Sequence, residues 1–179
     1  MNTFNEENLA GNSKEAIDIL GRKWKYDCMS CAIAKGELEL PGGLIFEDKY
    51  ITIGADVEIP LNGFIIIATK RHINSISELT DDERYDLIDY IAEVIKALKD
   101  LNIIEKVTIV QEERANHLHV WIFPCHKEYE EKFGKGVGSI KDICKHIKDN
   151  ITDEEIQKCL ETVTKLKEYF MEVKDGRNK

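Results

Sequence analysis

The stretch Asn116-His117-Leu118-His119-Val120-Trp121-Ile122-Phe123-Pro124 constrains the fold of this chain more than any other. Polar or aromatic residues alternate there with aliphatic ones, the period of two that an extended strand sorts into two faces. His117, His119, Trp121 and Phe123 then share one face, and Leu118, Val120 and Ile122 turn the other way, into a core. Two of the five histidines of the chain thereby lie about 7 Å apart on one side of a strand. A lone histidine in a strand is most often half-buried with its hydrogen bonds met. A pair on one face, backed by aliphatic residues, more often makes a site.

The rest of the chain supplies partners for that strand. A short helix is expected from Ser13 to Leu20, with Ser13 as cap and Ala16, Ile17 and Leu20 on one side. Ala32–Lys35 reads as a turn of helix ended by Gly36. Leu44-Ile45-Phe46 and Tyr50–Ala55 read as two strands around the loop Glu47-Asp48-Lys49. The run Phe64–Thr69 is apolar throughout, as in a central strand buried on both faces. Thr80-Asp81-Asp82-Glu83 is a capping box, and helical spacing of Leu87, Ile88, Ile91, Val94, Ile95 and Leu98 predicts a helix over about 81–100. Val107–Gln111 is a strand, joined by the loop 112–115 to the histidine strand. Beyond Pro124 come a polar and aromatic segment, a break at Gly134, Gly136 and Gly138, and helices over about 139–149 and 153–172. The second of these opens on its own capping box at Thr152 and carries an apolar stripe that includes Ile156, Val163 and Phe170. Residues 1–12 are expected to be disordered or frayed. The fold class is therefore α+β: an antiparallel sheet of about five strands, one long helix and a helical C-terminal extension. The boundaries read as an N-terminal extension over 1–25, a central domain over 26–124 and the helical extension over 125–179.

At 179 residues one core of good size is within reach. A formal charge of −9 argues against binding extended nucleic acid, which needs a cationic footprint, but leaves room for a small anionic ligand held by a few local donors. No apolar run approaches the roughly 20 residues of a membrane span, and the acidic start Asn5-Glu6-Glu7 is unlike a signal peptide. A soluble, cytoplasmic protein is expected.

Of five cysteines only Cys28 and Cys31 are close in sequence. In a reducing compartment such a C-x-x-C pair is a metal or redox pair sooner than a disulfide. Two nitrogens would complete a tetrahedral Cys2His2 site, with His72, His117, His119, His126 and His146 as candidates. His72, at the end of the buried strand, and His117, at the start of the histidine strand, could reach one point. A free dithiol is the plainer alternative. If a metal takes His117, His119 is left to face a pocket, where a backbone-held imidazole is a good nucleophile toward an activated phosphorus. Lys70, Arg71 and Arg114 are available cations for a phosphate, and Asp56 follows its strand well placed for a ribose diol or, as readily, to cap a turn.

Taken together these residues resemble the histidine triad (HIT) superfamily of nucleotide hydrolases and transferases. Cys28-Met29-Ser30-Cys31, Asp56, Gly63 with its apolar strand, Lys70-Arg71-His72 and His117-Leu118-His119 follow in the family's order over roughly 26–124. The resemblance implies that His119 attacks an α-phosphate, for instance of a dinucleoside polyphosphate. It implies a structural zinc on Cys28, Cys31, His72 and His117, as in the zinc-bearing branches, with Asp56 on the ribose and Gln111 in the place of a family amide. It also implies a homodimer joined through the sheet edge and the long helix. Two places depart from the family. Trp121 stands where the third histidine belongs, and the Gly-rich phosphate loop is replaced by Glu112-Glu113-Arg114-Ala115-Asn116, in which Arg114 and Asn116 are the remaining polar candidates. Both changes remove donors from a transition state, so a nucleotide-binding protein without catalysis is the alternative, with Trp121 against the ligand.

Overall fold

The computed structural model describes residues 13–177 of the chain; the expectation for 1–12 lies outside them. In chain order the elements are β1 (Lys14–Ile17), β2 (Lys23–Tyr26), α1 (Met29–Ala34), β3 (Phe46–Glu47), β4 (Ile51–Ala55), β5 (Ile65–Thr69), α2 (Asp81–Asp100), β6 (Val107–Val110), β7 (His119–Pro124), α3 (Lys127–Phe133), α4 (Ile140–Asp149) and α5 (Asp153–Arg177). Five strands form one antiparallel sheet in the order β3-β4-β5-β7-β6, and β1 and β2 form a separate hairpin.

The alternation of the histidine strand divides that sheet as its side chains require. Leu118, Val120 and Ile122 join Ile51, Ile53, Ile65 and Ile67 in the main core, closed by Val94, Ala97 and Leu98 of α2 and by Val163, Leu166 and Phe170 of α5. The opposite face carries Phe123, which packs with Phe64, Leu61 and the α4 residues Ile140, Ile143 and Ile147. The C-terminal helices thus cover both faces of the sheet. At the Asn62-Gly63 turn Gly63 has φ +84°, and a Cβ there would meet Ile104 at 3.0 Å. Only glycine takes this conformation and this proximity without strain.

One sequence expectation is corrected. Ser13–Leu20 is not a helix: Lys14–Ile17 pairs with Lys23–Tyr26 in the hairpin. Its apolar residues fit either period over so short a run. The turn is fixed by the buried Asp18, whose carboxylate accepts from the amides of Leu20 and Arg22, from Arg22 Nε at 2.6 Å and from Trp24 Nε1 at 2.9 Å. The polar and aromatic segment after Pro124, to which the sequence assigned no element, holds α3. The long helix begins at its capping box and runs Asp81–Asp100, as the apolar spacing behind that box predicts. Among the described residues no helix is long and apolar enough to cross a membrane.

Glu83, in the first turn of α2, closes the capping box with Thr80 and also accepts from Arg71 at 2.9 and 2.7 Å, while Arg71 donates to the Glu78 carbonyl at 2.6 Å. The loop that carries His72 is thereby tied to the helix start. The Arg71 guanidinium holds the Glu83 carboxyl down at about 2 against an ordinary 4.5. A depressed carboxyl stabilises the fold above its unfolded value and loses that contribution as pH falls through the folded one. The urea midpoint is accordingly expected to drop between pH 4.5 and 2, and Glu83→Gln to lose much of that dependence.

Candidate functional site

The residues that gather beside the histidine strand come from three parts of the fold. Cys28 caps α1 and Cys31 lies in its first turn; His72 follows β5 on the loop held by Arg71; His117 precedes β7. Their ligand atoms lie within 4.8 Å of one another. Cys28 Sγ is 3.3 Å and Cys31 Sγ 3.5 Å from His117 Nδ1, Cys31 Sγ is 3.1 Å from His72 Nδ1, and the two Nδ1 atoms are 3.3 Å apart. A tetrahedral ion with bonds of about 2.3 Å to sulfur and about 2.0–2.1 Å to nitrogen separates its ligand atoms by about 3.3–3.8 Å. The donor set fits a metal.

The tautomers fit as well. His117 Nε2 donates to the Thr69 carbonyl at 2.6 Å, which turns the lone pair of Nδ1 toward the quartet, the outer hydrogen bond that metal-binding imidazoles commonly make. Burial lowers the pKa of His117, which favours the neutral ring a metal needs. Burial and the neighbouring Cys28 push the Cys31 thiol up to about 11, so metal uptake there displaces a proton.

His119 lies on the other side of this cluster. Its Nδ1 donates to the His117 carbonyl at 2.9 Å, and among the described residues its Nε2 has no hydrogen-bond partner. It borders a cavity of about 230 Å³ whose walls include Met29, Ser30, Ile33, Leu40, Asp56 and Trp121. The floor is dug out of the sheet by small residues in register: Thr52, Ala68 and His119 form one row across β4, β5 and β7, and Gly54, Ile66 and Trp121 the next. Leu40 fills the room over Gly54, where any Cβ would overlap it. Leu40 is held from two sides: Arg22 donates to the Glu39 carbonyl at 2.9 Å, and Lys167 of α5 donates to the Gly42 carbonyl at 2.5 Å.

Asp56 uses Oδ1 to accept from the amides of Glu58 and Ile59 at 2.9 and 2.8 Å, so it caps its turn and also faces the cavity. Burial pushes its carboxyl up despite those two bonds. Trp121 is half-buried, packs edge-on against Phe64 at 5.4 Å between ring centres and lies 6.2 Å from the His119 ring.

The other sequence candidates lie elsewhere. Arg114 and Asn116 are exposed, and Arg114 pairs with Glu112. Gln111 follows β6, and its buried Nε2 has no partner among the described residues; it does not line the cavity. The three cations expected to be available for a phosphate are engaged, Lys70 with Glu47 at 2.6 Å, Arg71 with Glu83 and Arg114 with Glu112. Among the described residues no lysine or arginine lines the cavity. Met29, Ser30, Ile33, Leu40, Gly54 and Ala68 were not singled out by the sequence, because nothing short of strand register gathers them.

An α+β fold with a His-x-His strand set between a Cys2His2 cluster and a cavity is that of the histidine triad class. The HIT domain family matches residues 37–128, just over half of the chain, and the chain belongs to that family. It is 28% identical over 115 residues to an uncharacterized HIT-like protein of Methanocaldococcus jannaschii, covering 60% of this chain and 88% of the relative. It is 25% identical over 113 residues to adenosine 5′-monophosphoramidase of Schizosaccharomyces pombe, covering 62% and 81%. Among solved structures, a zinc-bound histidine triad family protein from Mycobacterium smegmatis superposes with a TM-score of 0.54 at 14% identity, covering 79% of this chain and 96% of the other. That likeness is one of fold.

Proposed function

We propose that this chain is a nucleotide phosphohydrolase or nucleotidyltransferase in which His119 attacks the α-phosphorus of a dinucleoside polyphosphate or a similar substrate. The observation that carries the reading is His119 itself, locked through Nδ1 to the His117 carbonyl with Nε2 free beside the cavity. Nε2 forms a bond to phosphorus as the bond to the leaving group breaks, and water or a second acceptor then cleaves the phosphorus–nitrogen bond and restores the imidazole. Asp56 accepts the ribose hydroxyls. A phosphoanhydride leaving group departs as an anion and asks no proton of the protein, which suits a site where Trp121 stands in the third position. Cys28, Cys31, His72 and His117 hold zinc, which fixes the scaffold next to His119.

A second reading has its own support. Trp121 in the cavity wall and the engagement of Lys70, Arg71 and Arg114 in ion pairs leave little to stabilise a phosphorane-like charge, which favours a protein that binds nucleotides without turning them over. Turnover on a panel of dinucleoside polyphosphates, adenylated amines and nucleotide sugars separates the two: product with any of them supports the enzyme, and binding without product supports the second. Under the enzyme reading Trp121→His is expected to raise turnover of the adenylated amines about tenfold or more, since an imidazole can protonate an amine leaving group, a proton that a phosphoanhydride does not require; a fall would assign Trp121 a positive role.

We also infer a homodimer. Tyr85 and Ile88 of α2 are 69% and 59% exposed, and β6 is, among the described residues, an outer strand of the sheet with Ile109 51% exposed. Light scattering is expected to give twice the chain mass, and Ile88→Glu to halve it.

A further inference from the structure

One short helix carries both the metal cluster and the cavity. Along residues 28–33 the roles interleave: Cys28 and Cys31 belong to the quartet, Met29, Ser30 and Ile33 to the cavity wall, and Ala32 is the buried anchor. Its own residues do little to hold it as a helix. It has six residues, its N-cap Cys28 makes no side-chain capping bond, and it has no acidic residue in its first turn or basic residue in its last. An isolated helix needs about 12–15 residues to persist in water, so α1 depends on what grips it from outside. Ala32 packs with Leu38, Leu40 and Val57. Met29 and Ile33 pack against the same cluster, and the start of the helix is held at the two thiols, which without a metal amounts to sulfur–imidazole contacts of 3.1–3.5 Å, weak bonds for a thiol. With a metal the same atoms are fixed by coordination to His72, on the loop after β5, and to His117, before β7.

We propose that metal occupancy of the quartet and nucleotide binding in the cavity are coupled through α1, so that Cys28 and Cys31 are positioning residues for the wall formed by Met29, Ser30 and Ile33. The proposal rests on the nucleotide reading of the cavity. When the metal leaves, α1 loses its fixed place, and the ligand must spend binding energy to order the wall again. Linkage makes the effect reciprocal: whatever factor the metal adds to nucleotide affinity, the nucleotide adds to metal affinity. A factor of roughly ten lies within the range for such couplings.

The probes are zinc and adenosine monophosphate, on the full chain. The affinity for zinc is measured by competition with a chromophoric chelator, without the nucleotide and at a saturating concentration of it, and calorimetry reports nucleotide binding to the zinc-loaded chain. Roughly tenfold tighter zinc binding in the presence of the nucleotide is expected. An unchanged zinc affinity although calorimetry shows the nucleotide bound would overturn the coupling and leave the nucleotide reading standing. No nucleotide binding to the zinc-loaded chain would sink both. Cobalt-loaded protein supplies a readout that never leaves the folded state, and it decides the matter if metal removal unfolds the chain. The nucleotide shifts the visible bands of the thiolate-bound ion if α1 moves with the ligand, and bands that stay fixed while the nucleotide binds overturn the proposal.

Discussion

His119→Ala is expected to lower turnover about 10³-fold or more while leaving metal content and melting temperature close to those of the wild type. The expectation follows from where this imidazole stands. It is half-exposed at the cavity, and the bond that orients it runs to a backbone carbonyl, so truncation removes the reacting atom without leaving a buried side-chain donor or acceptor unpaired. The metal quartet does not include it. Steady-state kinetics on whichever substrate the wild type prefers, with metal content measured on the same samples, checks the claim. Turnover unchanged in the variant would remove His119 from the chemistry and with it the proposed mechanism. A variant that lost metal as well as turnover would show that the strand, rather than the side chain, had been disturbed.

The second large effect belongs to the metal centre. Cys31→Ser is expected to leave less than about one tenth of an equivalent of zinc per chain and to lower the melting temperature by about 10 °C, the fall that corresponds to the loss of a few kcal/mol in a domain of this size. Cys31 is the apt position, because its sulfur is in reach of both imidazole ligands, and a hydroxyl is a poor ligand for zinc at neutral pH. Elemental analysis and a thermal melt on the same preparation decide it. Wild type without metal, and with the same melting temperature as the variant, would return Cys28 and Cys31 to the status of a free dithiol.

The parts of this fold that sequence reveals are those with local causes. The long helix was readable because its start is written in Thr80 and Glu83 and its face in a run of aliphatic residues. The histidine strand was readable because alternation sorts its two faces, and the core residues Leu118, Val120 and Ile122 are buried as that alternation requires. The quartet could be suggested from residue types, but its members are up to 89 residues apart, and only the closed sheet brings them together. Lys14–Ile17 was misread since four residues carry too little period to tell strand from helix; the deciding contacts of Asp18 with Arg22 and Trp24 are not visible as a pattern. The cavity floor was the least legible. Gly54 and Ala68 are ordinary small residues until pairing sets Ala68 beside His119 and Gly54 in one row with Ile66 and Trp121, and the ion pairs that remove Lys70, Arg71 and Arg114 from service depend on partners drawn from other segments or from the opposite side of a turn.

The grip on Leu40 bears on how such a chain can be cut down. Arg22 in the hairpin and Lys167 near the far end hold the carbonyls on either side of Leu40, and both lie outside the stretch 37–128 that matches the family. A truncation to that stretch would keep His119 and its strand yet release the side chain that fills the hollow over Gly54. The smallest piece that carries the family's signature is therefore smaller than the piece that shapes the cavity, and the flanking segments belong to the site as much as to the scaffold.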